Sequence, residues 1–339
     1  RSENSVLGVR ADDLVYQGFS LAFDMSFEEI WISYLVGATL WIAPKELATD
    51  PEALPKALIE HGITVFHAVP TLLALFAQDV PTLRLINLGG EACPESLAAR
   101  WANDHRQLFN TYGPTEATVS ASLAELRPGQ PVTIGRPLPN YGLLVIDAAI
   151  ENGLRLLPRG ETGELCITGP GIAAGYLGRP ELTSEKFLAN PWAEGAQDAR
   201  LYRTGDLARI AADGRVHCLG RTDDQVKIRG FRVELGEIEA ALCHQPGVGT
   251  AAVVLRQDDG IERLVAYVVA DGEMTATATG LRQALAETLP PYMVPVHLEN
   301  LPEMPRLASG KIDRKVLRDR PLEIPSGLSA ASDRPETPA

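Results

Sequence analysis

Hydrophobic and polar positions follow three different patterns along this chain. Between residues 25 and 115, four stretches with helical spacing are each followed by a short apolar run: MSFEEIWISYL by ATLWIA, PEALPKALIEHG by ITVFHAV, PTLLALFAQ by LRLINLGG, and CPESLAARWAN by RQLFNTYG. Apolar residues that recur every three or four positions indicate helices, and short continuous apolar runs indicate buried strands. Four such pairs in succession predict an α/β fold, in which helices cover a mostly parallel sheet.

The second pattern begins at residue 131, where the helical spacing disappears. Short apolar runs such as GLLVID, GELCITG and GRVHCLG alternate with Gly and Pro. This texture predicts short strands joined by tight turns, in an antiparallel sheet or a small β-barrel. We interpret residues 1–222 as the C-terminal part of a large domain, with an α/β portion over residues 1–130 and a β-rich portion over residues 131–222.

The third pattern, over residues 223–320, mixes helices and strands. Helical spacing in LGEIEAALCHQ and GLRQALAETLP alternates with apolar strands in GTAAVVLRQ, ERLVAYVVA and VHLEN. A stretch of about 100 residues is enough for a small separate α+β domain. Residues 321–339 are rich in Pro, Ser and Ala and lack apolar periodicity, which predicts a flexible tail or linker.

Charge and composition narrow the functional classes. The 339 residues include 31 basic and 44 acidic side chains, and the formal net charge of -13 opposes binding to nucleic acid or to anionic membranes. The longest apolar stretch, residues 34–43, has about half the length that a membrane-spanning helix needs. Four cysteines and six histidines are scattered without metal-ligand spacing, which favours a reduced, cytoplasmic protein without a His/Cys metal site.

Three short motifs carry residue types that suit nucleotide chemistry. NTYGPTEA (110–117) combines an aromatic ring, a hydroxyl and a carboxylate, which suit a base, a phosphate and a Mg²⁺ ion. YRTGDLARI (202–210) places Asp206 after a turn, where a carboxylate can accept from both hydroxyls of a ribose. RLASGKIDRKVL (306–317) places Lys311 after a Ser-Gly turn. For each motif taken singly, an ordinary surface turn or hairpin is the alternative.

Seven motifs in one order along the chain carry a family resemblance. They are FDMS from residue 23, NTYGPTE from 110, GELCITGPGIAAGYL from 163, YRTGDL from 202, GRTDDQVKIRGFRVELGEIE from 220, LPPYMVP from 289 and SGKIDR from 309. Through them, residues 15–320 resemble the adenylation domain of nonribosomal peptide synthetases, within the adenylate-forming (ANL) superfamily. The resemblance implies the ANL fold, in which a large α/β domain precedes a small mobile C-terminal domain.

The resemblance also implies a two-step reaction. An amino acid carboxylate attacks the α-phosphate of ATP and releases pyrophosphate, with Mg²⁺ as the metal cofactor. The aminoacyl group then passes from AMP to the phosphopantetheine thiol of a carrier protein. Because the first step brings two anions together, catalysis needs donors and cations around the reacting phosphorus. The implied partners are an amino acid, a peptidyl carrier protein or domain, and a small activator protein.

The matching positions assign nucleotide contacts by resemblance. Tyr112 would stack on adenine with Asn110 nearby, and Thr115 would contact phosphate. Asp206 and Arg221 would bind the ribose.

Three more positions receive catalytic or mechanical roles from the same resemblance. Glu116 would hold Mg²⁺, and Lys311 would bridge the substrate carboxylate and the ribose oxygens. Asp223 would be the hinge about which the small domain turns, first presenting Lys311 and then the VKIRG segment.

A substrate pocket follows from counting along the family's pocket positions without gaps. The lining residues are Asp24, Met25, Glu28, His67, Asn87, Gly89, Thr111, Val119, Ser120 and Lys311. Asp24 fits the position that pairs with an α-ammonium, which favours an α-amino acid. A buried Glu28 favours a cationic side chain such as lysine, ornithine or diaminobutyrate, because an unpaired carboxylate is costly in a closed pocket. Two alternatives are that Glu28 pairs with His67 or faces away after a register slip; the substrate is then polar and uncharged.

The sequence departs from the family at several places. Ala174 stands where Arg is usual, and Ser309 stands where Asn is commoner. The family's upstream phosphate loop, rich in Thr, Ser and Gly, is not found in these residues, which suggests a truncated start. We therefore expect this chain alone to adenylate poorly or not at all.

Two other functional classes remain open at this point. A CoA ligase of the same superfamily would use the same ATP residues, but Asp24 and the QVKIRGFRVELGEIE motif favour the peptide-synthetase branch. A catalytically silent module would only dock a carrier or activator protein, and intact Glu116, Asp206 and Lys311 argue against it. The exact amino acid, the product, the neighbouring domains and the oligomeric state are not readable from the sequence.

Overall fold

The structure is a computed structural model that describes residues 1–48, 50–147, 153–228, 230–258, 261–271, 277–307 and 310–321. The chain forms two compact units that divide between Arg232 and Val233. The sequence-based boundary between residues 222 and 223, with Asp223 as the hinge, stays a prediction because compactness does not locate a hinge. The predicted tail, from residue 322 onward, and Ser309 lie outside the described residues.

The N-terminal unit contains a sheet of seven strands in the order β2-β1-β3-β4-β5-β6-β7. Strands β1 to β5 pair in parallel, while β6 and β7 pair antiparallel at one side. The strands are β1 Leu14–Gln17, β2 Thr39–Ile42, β3 Val65–Ala68, β4 Leu85–Leu88, β5 Gln107–Tyr112, β6 Ser122–Leu126 and β7 Arg136–Pro137. The predicted parallel sheet is confirmed, and its strands β3 and β4 are buried along their whole length.

Short helices connect these strands and cover the sheet. They are α1 Asn4–Leu7, a π-helix Glu28–Ile32, α2 Ser33–Val36, α3 Lys45–Ala48, α4 Leu54–Glu60, α5 Pro70–Ala74 and α6 Glu95–Trp101. Pro70 opens α5, where its missing N–H costs nothing. Leu54, Leu58 and Trp101 pack into the main apolar core with strand residues.

The predicted β-rich portion forms an antiparallel sheet in which β11 pairs with three neighbours, β9, β10 and β12. The strands are β8 Gly142–Ile146, β9 Thr162–Thr168, β10 Phe187–Ala189, β11 Arg200–Ile210 and β12 Val216–Arg221. Helix α7, Pro180–Lys186, precedes β10. The sequence left open an antiparallel sheet or a small β-barrel. The described residues form an open sheet, because no pairing joins β8 to β10 or β12. A two-stranded hairpin of β13 Val226–Ile228 and β14 Phe231–Val233 follows.

The C-terminal unit has its own sheet and core. Strands β15 Val248–Asp258 and β16 Ile261–Ala270 pair antiparallel, and β17 His297–Asn300 pairs in parallel with β16. The helices are α8 Leu235–Cys243, α9 Ala278–Thr288 and α10 Arg314–Asp319. The Thr277 side chain caps α9 by accepting from Gly280 N at 3.1 Å. The α+β prediction for this region is confirmed.

Within the described part of the chain, every helix is too short or too polar to cross a lipid bilayer.

Candidate active site

Apart from Lys311, the predicted pocket residues lie near the carboxyl ends of the parallel strands and on the turns that follow. Asp24 lies just before the π-helix, and its Oδ2 accepts a hydrogen bond from the Thr115 hydroxyl. These two residues are 91 positions apart in the chain. The fold therefore brings the predicted ammonium-binding carboxylate together with the predicted phosphate-contacting hydroxyl.

Glu28 is the centre of a buried polar cluster. Its side chain is 2% exposed. Oε1 accepts a hydrogen bond from the Ser120 hydroxyl, and Oε2 accepts one from Asn87 Nδ2 at 3.0 Å. His67 lies beside Asn87 because β3 and β4 pair these two residues in register. Glu28 thus faces the other predicted pocket residues and does not turn away from them.

His67 contacts two members of this cluster through its Nδ1. Asn87 Nδ2 is 3.2 Å from His67 Nδ1, whereas Glu28 Oε2 is 3.5 Å from the same nitrogen. His67 Nδ1 is therefore in contact with both the Asn87 amide and the Glu28 carboxylate. Burial would raise the pKa of the Glu28 carboxyl, but the hydrogen bond and charge of His67, together with the other hydrogen bonds of the cluster, outweigh it and lower the pKa. Glu28 is therefore ionised, with His67 beside it.

Small and strained residues shape the rest of the pocket. A Cβ on Gly89 would lie 2.8 Å from the Thr111 hydroxyl and 3.0 Å from Met25 Cε, so a residue larger than glycine would crowd these side chains. Val119 has a φ of 72°, which is strained for a β-branched residue. This turn places Ser120 in contact with Glu28. Backbone strain of this kind is typical of functional sites.

The residues predicted for adenine and ribose form one connected group. The Tyr112 hydroxyl donates to Asp206 Oδ2 at 2.5 Å, and burial, together with the Asp206 charge, raises the pKa of Tyr112. Arg221 Nη1 donates to Asp206 Oδ1 at 2.6 Å, and Arg221 also pairs with Asp223. Asn110 Nδ2 donates instead to the Thr133 carbonyl at 2.8 Å, so this amide supports the backbone behind the group.

Glu116 already binds a cationic side chain. Arg232 Nη1 donates to its two carboxylate oxygens at 2.8 and 2.9 Å, and the Tyr176 hydroxyl donates to Oε1 at 2.6 Å. Burial would raise the pKa of Glu116, but Arg232 and Tyr176 outweigh it and lower the pKa. An ionised carboxylate that holds an arginine fits a Mg²⁺ ion, which proteins commonly bind through one or two carboxylates and substrate phosphates. No larger cluster of metal ligands occurs in the described ranges.

Lys311 belongs to the C-terminal unit and lies on a tight, exposed turn. Leu307 N donates to the Lys311 carbonyl at 2.8 Å, and Arg306 Nη1 donates to the Gly310 carbonyl at 2.8 Å. Gly310 has a φ of 83°, a left-handed conformation that glycine adopts without strain. Asp313 then caps α10, which anchors the turn in this unit.

Three residues that sequence reasoning did not select also contact the predicted set. Tyr176 and Arg232 bind Glu116. They lie in the GYL and GFRVE parts of two motifs, so the sequence could have indicated them as polar site residues. Glu3 is the third, and its pKa is raised by burial and by the nearby charge of Glu28. It precedes every motif and carried no signal.

Comparisons with family models match both parts of the chain. Residues 2–177 match the AMP-binding enzyme family, and residues 237–311 match the AMP-binding enzyme C-terminal domain. Delta-poly-L-ornithine synthetase from Acinetobacter baumannii is 64% identical over 341 residues, which cover 100% of this chain and 25% of the relative. Phosphinothricin tripeptide synthetase PhsC from Streptomyces viridochromogenes is 43% identical over 91% of this chain and 28% of the relative. The chain thus spans about a quarter of the length of these relatives.

Solved structures with the same fold include adenylation domains. The Vibrio cholerae adenylation domain AlmE, in complex with glycyl-adenosine-5'-phosphate, has a TM-score of 0.81 and 30% identity, and the match covers 94% of this chain and 60% of that one. A nonribosomal peptide synthetase protein with adenylation and PCP domains, bound to a vinylsulfonamide inhibitor, has a TM-score of 0.78 and 27% identity, covering 91% of this chain and 53% of that one. These similarities confirm the predicted fold.

Proposed function

Because the chain belongs to the AMP-binding enzyme family, we propose that it takes part in activating an amino acid with ATP, releasing pyrophosphate and forming an aminoacyl-AMP. The proximity of Asp24, Thr115 and the Tyr112–Asp206 pair supports this proposal, since these are the groups assigned to the amino acid and the nucleotide. Bound Mg²⁺ would neutralise phosphate charge, with Glu116 as the residue that holds it. The peptide synthetases among the relatives support an amino acid as substrate.

The second step is transfer of the aminoacyl group to the phosphopantetheine thiol of a carrier protein. The similar structure that joins adenylation and PCP domains supports a carrier as the partner. In this step the thiolate attacks the acyl carbon and AMP leaves. Such a chain would act within an assembly line that makes a peptide or polyamide as a secondary metabolite.

The substrate class follows from one observation, the buried ionised carboxylate of Glu28. In the described ranges, no lysine or arginine pairs with it, and the basic side chain beside it is His67, 3.5 Å away. A substrate with a cationic side chain would place positive charge beside Glu28 and offset the cost of burying its carboxylate. The similarity to a protein named for poly-L-ornithine is consistent with ornithine, lysine or diaminobutyrate.

ATP–pyrophosphate exchange against a panel of amino acids tests this function. Both this chain and the full-length natural protein that carries it should be measured, because the chain covers 60% of the solved AlmE adenylation domain. We expect exchange by the full-length protein with cationic amino acids, and a large loss of that preference in Glu28→Gln. Exchange with neutral amino acids alone would contradict the cationic class. Exchange with no amino acid, but CoA-dependent release of AMP with another acid, would contradict amino acid activation.

A further inference from the structure

Helix α1 lies beside the π-helix that carries Glu28. Leu7 packs in the same apolar core as Ile32, the last residue of that π-helix. At the other end, the Ser2 hydroxyl donates to the Pro139 carbonyl at 2.6 Å. Glu3 sits between these two anchors, at the N-terminal cap of α1. Its position is therefore fixed by contacts on both sides.

The carboxyl group of Glu3 is directed into the cluster around Glu28. Its pKa responds to the side chains of Glu28 and Ser120, which places it beside both of them. Its Oε1 is buried and has no hydrogen-bond partner among the residues that the structure describes. Burial and the nearby Glu28 charge raise the pKa of Glu3 well above its usual value. Two carboxyl groups that share a site in this way favour a single proton or a bound cation between them.

A second acceptor in the same cluster also lacks a partner. Asn87 is 0% exposed, and its Nδ2 is committed to Glu28 and His67. Its Oδ1 is buried with no hydrogen-bond partner in the described part of the chain. A buried acceptor without a donor is costly, so the site calls for a ligand that donates. An ammonium group has three N–H donors and no acceptor.

We propose that Glu3 is a second acidic residue of the substrate pocket, and that Glu3, Glu28 and Asn87 together bind the side-chain ammonium of a diamino acid. This inference rests on the proposed cationic substrate class and deepens it. The three side chains offer one acceptor group to each N–H of the ammonium. Glu3 lies outside the ten positions that the family resemblance assigns to the pocket.

The test compares ornithine with norvaline, which has the same carbon chain without the terminal ammonium. KM in ATP–pyrophosphate exchange is measured for the full-length natural protein and for its Glu3→Gln and Glu28→Gln variants. Glu60→Gln, at an exposed glutamate on α4, is the matched control. We expect Glu3→Gln to raise KM for ornithine about 10- to 100-fold and KM for norvaline less than about threefold. The control should leave both values unchanged.

The outcomes separate this inference from the proposed function. If Glu28→Gln abolishes the preference for ornithine but Glu3→Gln alters both ligands equally, the role of Glu3 is overturned and the substrate class stands. If the wild-type protein does not prefer ornithine, lysine or diaminobutyrate over norvaline, both are overturned. Should Glu3→Gln unfold, as thermal melting would show, Glu3→Asp is measured instead. In Glu3→Asp, the carboxyl group is set back by one methylene. A rise in KM for ornithine that is smaller for the longer substrate lysine would support direct contact.

Discussion

Adjacent carboxylates Glu28 and Glu29 have different partners and different electrostatic surroundings. Glu29 is 0% exposed and turns away from the pocket cluster. It accepts hydrogen bonds from Gln17 Nε2 at 3.0 Å, Gly18 N at 3.1 Å and Phe19 N at 3.2 Å. Burial outweighs these bonds and raises the pKa of Glu29 to about 7. Glu29 thus ties the turn after β1 to the π-helix, and its charge depends on pH.

Glu29 should make the stability of the N-terminal unit depend on pH. The unfolded chain loses this proton near the usual pKa of 4.5, whereas the folded chain keeps it up to about 7. The free energy of unfolding therefore falls as pH rises through this window, by up to about 3 kcal/mol. Urea unfolding should show that the free energy of unfolding of the wild type falls between pH 4.5 and pH 7.5. In Glu29→Gln this fall should be smaller by about that amount. Glu60→Gln should behave like the wild type, and equal losses in all three proteins would contradict the prediction.

At the scale of elements, the sheet of the N-terminal unit was predictable because its signal is local. Runs such as ITVFHAV need only their own apolar residues to indicate a buried strand, and β3 and β4 lie where the runs do. The π-helix was not predictable, since MSFEEIWISYL has ordinary helical spacing. Its two buried glutamates depend on partners outside the segment, and the contact between Glu28 and Ser120 joins residues 92 positions apart.

The same limit applies to Arg232 on β14. It binds Glu116 across 116 residues of sequence, and no local pattern encodes such a pairing. The motif GFRVE marked the segment but not the partner. The family resemblance predicts Glu116 as a metal ligand, and the structure adds that Arg232 donates to the same two oxygens.

This contact leads to a prediction about divalent cations. Arg232→Gln should strengthen Mn²⁺ binding in the presence of a nonhydrolysable ATP analogue by about tenfold, because the arginine no longer occupies the Glu116 carboxylate. Mn²⁺ titrations followed by electron paramagnetic resonance measure this affinity directly. Arg215→Gln, which removes an exposed arginine paired with Asp213, is the control and should have no effect. Unchanged or weaker Mn²⁺ binding in Arg232→Gln would show that the two cations do not compete.

For the whole molecule, the important fact is that the predicted site residues belong to two compact units. Lys311 lies in the C-terminal unit, whereas the predicted pocket and nucleotide residues lie in the N-terminal unit, which ends at Arg232. The sequence indicated both units, because the α+β pattern restarts after the β-rich portion. It gave no information on the local anchoring of the Lys311 turn, which depends on Arg306 and Asp313.

A lysine carried by a separate unit can serve one step of a reaction and be dispensable for the next. We therefore expect Lys311→Ala, in the full-length natural protein, to lower ATP–pyrophosphate exchange about 100- to 1000-fold, by analogy with lost oxyanion donors. Transfer of a chemically prepared aminoacyl-AMP to the carrier thiol should change less than about threefold, because the anionic approach to phosphorus that the lysine assists is already complete. Lys315→Ala, at an exposed lysine on α10, is the control for charge and folding. Equal losses in both half-reactions would indicate that Lys311 supports the structure of its unit, and an unchanged exchange rate would contradict its catalytic role. Only a selective loss of exchange agrees with a lysine that acts in the first step alone.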